Sequence, residues 1–356
     1  MILERYLARY FLQGYFLVLL VLLALFSFFD LVDELSEVGK GQYRLPHAFW
    51  YVLSTLPSKW LELSPVCVLI GGGYALSGLA RGGELLAMRA LGMSASRIAL
   101  ALLKTTLLLA LGLTLVAQFI APRSHQWGVL YRQQALAGED SLRTAQGFWS
   151  RDQKRFLQVA SLLHGRVPLH VNIYEFAEDG RLLEFLHAER ADIQADGEWW
   201  LRGVTLKRWQ EGGLKTERFQ ERKWRSFLSP RQLKILELPA ETLSLSDLWG
   251  YANHLKTSGQ RAERYMLLFW QRLLLPLSMA VMIPLLLPVM LIAPRAKEFT
   301  LQVAFSLLIG VLYFLGAQVV GNAGLLLGLP AWLTALVPPL AMLLLAGGVK
   351  KWGMSA

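Results

Sequence analysis

Four carboxylates, Asp30, Asp33, Glu34 and Glu37, recur at i, i+3, i+4 and i+7, the spacing that lines side chains along one face of a helix. Oxygen donors grouped in this way could hold a divalent cation, or could form an ordinary solvated face. Lys59 and Glu62, at i and i+3, could pair at a membrane interface or meet a lipid head group. Glu84 stands almost alone in the apolar stretch RGGELLAMRALGMSASR, residues 81–97. Little else suggests catalysis. The histidines at 47, 125, 164, 170, 187 and 254 lack the ligand spacing of a zinc site. The Gly71–Gly73 triplet sits in an apolar run without the Lys of a phosphate-binding loop. No G-x-S-x-G occurs, and no Ser-Lys pair stands out in the apolar runs. The expectation is a non-catalytic chain with no metal and no cofactor, binding no ATP itself.

The elements that would position these residues are mostly membrane spans. The chain is 54% hydrophobic, its mean hydropathy is +0.39, and it carries runs of about 20 apolar residues, long enough to cross a bilayer. The predicted spans are residues 11–29, 60–79, 98–120, 273–292, 299–320 and 332–349. Pro57 and Pro65 should bend the outer half of the second, and Pro276, Pro284 and Pro288 should break the fourth. Cys67, the single cysteine, lies in an apolar run and can form no internal disulfide. The net charge of +10 is spread over loop ends and one polar domain, with no aromatic-basic module for nucleic acid.

Arg5 and Arg9, the basic 81–104 link, Arg295 with Lys297, and Lys350 with Lys351 all fall on one side of six spans. The positive-inside rule makes that side cytosolic. Both termini are then cytoplasmic, and the long polar insert is on the outer side. The insert reads as β. Alternation in 156–159 and 170–176, and aromatic or β-branched runs in 199–209 and 219–227, are separated by Asp179-Gly180, Asp196-Gly197 and Gly212-Gly213. Such strands suggest a sandwich or jelly-roll. Ser246 can cap a closing helix through Leu255, with Gly259 ending it. The reading is a polytopic α-helical membrane protein with six transmembrane helices and a periplasmic β-jellyroll inserted between helices 3 and 4. Its domains are 1–122 (spans 1–3), 123–262 (β insert) and 263–356 (spans 4–6).

The 81–97 stretch should be a short helix, apolar nearly all round, and such a helix needs burial. It could lie in the membrane interface or plug into a groove on a cytosolic partner. The second is favoured, because the middles of five of the six spans lack the ionisable groups of ion-coupled carriers. Energy for transport would then come from outside, and such apolar walls suit a substrate with hydrocarbon tails. Ser306-x-x-x-Gly310 and Ala317-x-x-x-Gly321 are helix-packing spacings, read as part of a gate against a second subunit.

The chain resembles the LptF/LptG family of lipopolysaccharide export permeases over nearly its whole length. GGELLAMRALGMSASRI, between the second and third spans, carries the family resemblance. DELSEVGKGQY after the first span and LKTSGQ…RY…W before the fourth favour the family member that pairs with LptF, with LptF itself as the alternative. The resemblance implies a heterodimer with LptF, a dimer of the ATPase LptB beneath it, and the single span of LptC at one gate. Lipopolysaccharide would be extracted from the outer leaflet of the inner membrane and passed to a periplasmic bridge. The 81–97 helix would dock on LptB through Glu84, Leu85, Met88, Arg89 and Leu91. Basic residues would meet lipid phosphates: Lys40 and Arg132, with Arg44 and Lys59 in reserve. Asp30, Asp33 and Glu34 stand at the first span's exit, where the family pattern implies a lysine. Phe26, Phe28, Phe29, Leu31, Phe305, Leu312 and Tyr313 would line an apolar wall. A membrane-anchored periplasmic scaffold is the reading from another class.

Overall fold

The computed structural model describes residues 2–137, 143–144, 148–152, 155–163, 167–177, 179–194, 198–210, 213–226, 238–258, 260–291 and 298–354. Arg295 and Lys297, Asp196-Gly197, Gly212 and Gly259 lie outside them. The chain divides into two compact units, residues 1–32, 52–125 and 266–356 in one, residues 33–51 and 126–265 in the other. The insert's unit thus takes in the loop after the first span, which the expected division at 122/123 had left with the spans.

The first unit is helical. Its elements are α1 (Ile2–Leu35), α2 (Leu45–Arg81), α3 (Glu84–Ala90), α4 (Ala95–Leu115), a π-helical segment (Val116–Ile120) and α5 (Ala121–Ala137). After the sheet come α6 (Leu245–Thr257), α7 (Glu263–Leu273), α8 (Leu275–Leu291), α9 (Glu298–Leu326) and α10 (Ala331–Met354); α6, and α5 from residue 126 on, belong to the second unit. Among the described residues five helices are long and apolar enough to cross a membrane, or six if α7 and α8 are one span bent by 51°. The bend falls at Leu274, just before Pro276, which is tolerated in a first helical turn because the amide it lacks has no partner there. α8 runs on through Pro284 and Pro288, and α2 runs unbroken through Pro57 and Pro65. The third span continues far beyond residue 120, through the π segment and into α5.

The Gly71–Gly73 triplet has a packing role. A Cβ on Gly71 would stand 2.7 Å from the Gly14 carbonyl, and one on Gly14 would stand 2.3 Å from that of Gly71. One on Gly72 would meet Leu286 at 2.6 Å, and one on Gly73 the Ser306 hydroxyl at 2.4 Å. Three consecutive residues project about 100° apart on a helix, so each admits a different neighbour: α1, α8 and α9. Small residues let helices approach closely where lipid supplies no hydrophobic drive between them. Gly310 packs on Val66 and Ile70, and Gly321 faces Leu267 and Gln271. The small-residue motifs of α9 therefore make helix contacts within this chain, as their spacing predicts.

The second unit holds strands β1 (Arg143–Thr144), β2 (Phe148–Asp152), β3 (Arg155–Leu163), β4 (Val167–Phe176), β5 (Leu182–Ile193), β6 (Glu198–Gln210) and β7 (Gly213–Arg225). β1 and β2 both pair with β3, and β3 to β7 follow as antiparallel neighbours in chain order. Among the described residues this is one meander. The crossed strand order of a jelly-roll is not seen in it. Leu157, Val159, Val171, Ile173, Leu186, Ala188, Trp199, Leu201, Val204 and Leu206 form its core. Burial shifts phase between Leu201 and Val204, where Gly203 takes φ +63° opposite Glu189, a conformation that favours glycine. α6 is capped by Ser244, whose hydroxyl accepts from the Asp247 amide at 3.2 Å, two residues earlier than the expected Ser246.

Candidate functional site

Two groups of predicted residues come together, one at each end of α1. At its N-terminal end lies the 81–97 stretch, whose helix is shorter than predicted. α2 claims residues up to Arg81, Gly83 at φ +74° breaks it, and Gly92 at φ +88° ends α3 before Ser94 caps α4. α3 is not uniformly apolar outward. Leu85 and Met88 are 5% and 4% exposed and belong to the core of the helical unit. They root the helix in its own chain. The outward face carries Leu86 at 63% and Leu91 at 76% exposure, with Arg89 exposed beside them. Leu86 was missed, because a helix apolar on most sides does not announce which side its own chain takes. Glu84 opens α3, where a carboxylate meets the positive end of the helix dipole. One of its oxygens accepts a hydrogen bond from Tyr6 Oη at 2.6 Å.

At the other end of α1 three of the four carboxylates, Asp30, Glu34 and Glu37, find bases. Asp30 pairs with Lys59 of α2, whose ammonium also donates to the Phe26 carbonyl at 3.3 Å. In the second unit, Arg132 Nε donates to both oxygens of Glu34 at 2.8 and 3.1 Å, and Tyr43 Oη donates to the same carboxylate at 2.8 Å. The guanidinium lies 5.5 Å from the Tyr51 ring and 6.0 Å from the Tyr43 ring, within range of a cation–π attraction. Burial, and then donation to Glu34, raises the Tyr43 hydroxyl above its ordinary pKa. Lys40 pairs with Glu37 at 2.9 Å, and that hydrogen bond holds the Glu37 carboxyl below its usual range. Arg44 is exposed and forms no ion pair among the described residues. Among those residues no group of three or more His, Cys, Asp or Glu is placed to hold a metal ion.

The VGKGQY motif builds this geometry. Gly39 and Gly41 take φ +98° and +58°, a Cβ on Gly41 would stand 2.5 Å from the Leu136 carbonyl, and the Gln42 amide donates to the Ala135 carbonyl at 2.8 Å. The loop is thereby seated on α5, which presents Tyr43 and Arg132 to one carboxylate. The predicted apolar wall is only partly at the surface. Phe28, Phe29, Phe305 and Leu312 are 61%, 55%, 47% and 57% exposed. Leu31 is half-buried, Phe26 packs on Phe314 with ring centroids 5.9 Å apart, and Tyr313, at 8% exposure, is buried. The Tyr313 ring lies in the helical core.

Five or six apolar helices long enough to span a membrane, with an antiparallel sheet inserted between them, define an integral membrane protein. The profile of the lipopolysaccharide export system permease LptF/LptG family matches residues 5–349, and the chain belongs to that family. It is 28% identical over 351 residues to the lipopolysaccharide export system permease protein LptG of Escherichia coli K12, covering 97% of this chain and 96% of that one. It is 27% identical over 344 residues to the LptG of Haemophilus influenzae, covering 96% of each.

Proposed function

We propose that this chain is an LptG-type permease subunit of an ATP-driven exporter, which takes lipopolysaccharide from the outer leaflet of the inner membrane and delivers it to a periplasmic bridge. LptF is its heterodimer partner, a dimer of LptB supplies the ATPase, and LptC and membrane lipids complete the surroundings. The termini and α3 are cytoplasmic and the sheet is periplasmic, the inserted domain of a jelly-roll type. The chain itself is not an enzyme. The observation that carries the reading is α3: Leu85 and Met88 anchor it in the chain's core, Leu86, Arg89 and Leu91 are turned outward, and Glu84 is half-buried beside them. A helix rooted on one side and apolar on the other is built to receive a push. Glu84 against a basic partner group would fix the docking geometry.

Toward the other end, Lys59 in the first unit, and separately Arg132 and Lys40 in the second, meet phosphates by exchanging carboxylates for phosphate oxygens of similar hydrogen-bonding geometry. The exposed rings of Phe28, Phe29 and Phe305 meet the acyl chains. Purification from mild detergent tests the assembly. The wild-type chain should bring LptF and LptB with it, and Glu84→Lys should lose LptB while keeping LptF. Full recovery of LptB and full export with Glu84→Lys would contradict the reading.

A further inference from the structure

Helix α1 touches the coupling helix through one directed contact. Tyr6 Oη donates to Glu84 Oε2 at 2.6 Å across 78 positions of sequence. Tyr10, one turn on, lies against the Tyr6 ring with centroids 5.4 Å apart, which restricts the ring's swing. A carboxylate has two acceptor oxygens, so a hydroxyl on one leaves the other for a basic partner and sets the plane in which it is offered. The same helix is held at two further levels in the same unit: Gly14 is pressed on Gly71 backbone to backbone, and Asp30 is paired with Lys59. Tyr6 and Asp30 are about 36 Å apart at 1.5 Å rise per residue.

We propose that Tyr6 is a positioning residue for Glu84, and that its hydroxyl makes α1 the rod through which movement of the coupling helix reaches the Asp30–Lys59 pair. The proposal rests on the coupling role of Glu84 given above. α3 has only seven residues and is rooted by two side chains, so a load on Glu84 needs a stiff element to travel along. α1, 34 residues without a break, is such an element, and Tyr6 is its grip. Separation of Asp30 from Lys59 at the far end would free that ammonium for an anionic head group at the moment the motor moves.

The test uses the assembled exporter in proteoliposomes and measures ATP hydrolysed and lipopolysaccharide released. Tyr6→Phe keeps the ring and its contact with Tyr10 but removes the donor. It should leave ATP turnover within about two-fold while lipid released per ATP falls about three-fold or more, the effect of losing one charge-assisted hydrogen bond. In a Glu84→Ala background the same change should cost nothing further, which a merely structural tyrosine would not obey. Undiminished release per ATP in Tyr6→Phe, with Glu84→Ala uncoupled, would overturn this proposal alone, as would an equal loss in both backgrounds. Glu84→Ala with wild-type assembly and release would overturn the coupling role itself, and this proposal with it.

Discussion

Helices α1 and α2 have similar length and composition but opposite fates. In the most apolar window of α2, 83% of residues are buried within the chain; in that of α1 only 11% are, and in that of α9 17%. α2 is spent inward: its glycines, valines and leucines seat α1, α8 and α9 around it. α1 shows Phe16, Leu17, Leu20 and Val21 outward. Lipid tolerates such surface, and so does a second apolar subunit. The difference separates residues that make the fold from residues that await an occupant, and α3 repeats it in miniature, with Leu85 and Met88 inward and Leu86 and Leu91 outward.

Substitutions can break or sharpen that contrast. The largest effect belongs to Gly71→Val, which drives a branched side chain between two backbones that cannot give way. It should cost about 3 kcal/mol or more, read as a collapse in monodisperse yield and thermal midpoint in detergent. Wild-type behaviour would show that α2 is not the hub. Next is Glu34→Ala, which strands Arg132 and Tyr43. A loss of about 2 kcal/mol is expected, largely recovered in the exchanged pair Glu34→Arg with Arg132→Glu. If the exchange recovers nothing, the pairing is incidental.

Leu86→Ala with Leu91→Ala should change the chain's own melting by less than about 0.5 kcal/mol, yet weaken its hold on LptB by about 1–2 kcal/mol per side chain. The smallest effect is that of Leu20→Ala on the outward face of α1, again within about 0.5 kcal/mol for the isolated chain. A large loss there would mean that α1 is packed against its own chain after all.

Much of this was legible in the sequence, and what was missed has physical causes. Runs of apolar residues located the five long apolar helices and the bent pair α7–α8, since length and hydropathy answer to the bilayer and need no partner. Boundaries failed where polar residues continue a helix: α5 carries Arg123, Ser124, His125 and Gln126, and no stop signal intervenes. Alternation marks β3 and β4, aromatic and β-branched residues mark β6 and β7, and Asp179-Gly180 does turn β4 into β5, with Gly180 at φ +82°. β5 was not read. Its LLEFLHAERADI is rich in Leu, Ala and Glu, good helix formers, and only pairing on both sides with β4 and β6 holds it extended.

The cation cluster was half legible. Lys40, Arg132 and Lys59 and the acids are visible in the sequence, but that Glu37, Glu34 and Asp30 answer those bases needs the folded distances. The three-way packing of the glycine triplet cannot be seen without its neighbours.

The account turns on the outward face of α3 being the seat of the motor. A photo-crosslinking amino acid placed at Leu86 in growing cells tests this most directly. The account predicts an ultraviolet-dependent adduct with LptB, lost when Glu84→Lys is added and absent when the same label replaces Leu108 on the exposed side of α4. Adducts from Leu86 to periplasmic proteins, or to lipid alone in cells where LptB is abundant, would contradict it.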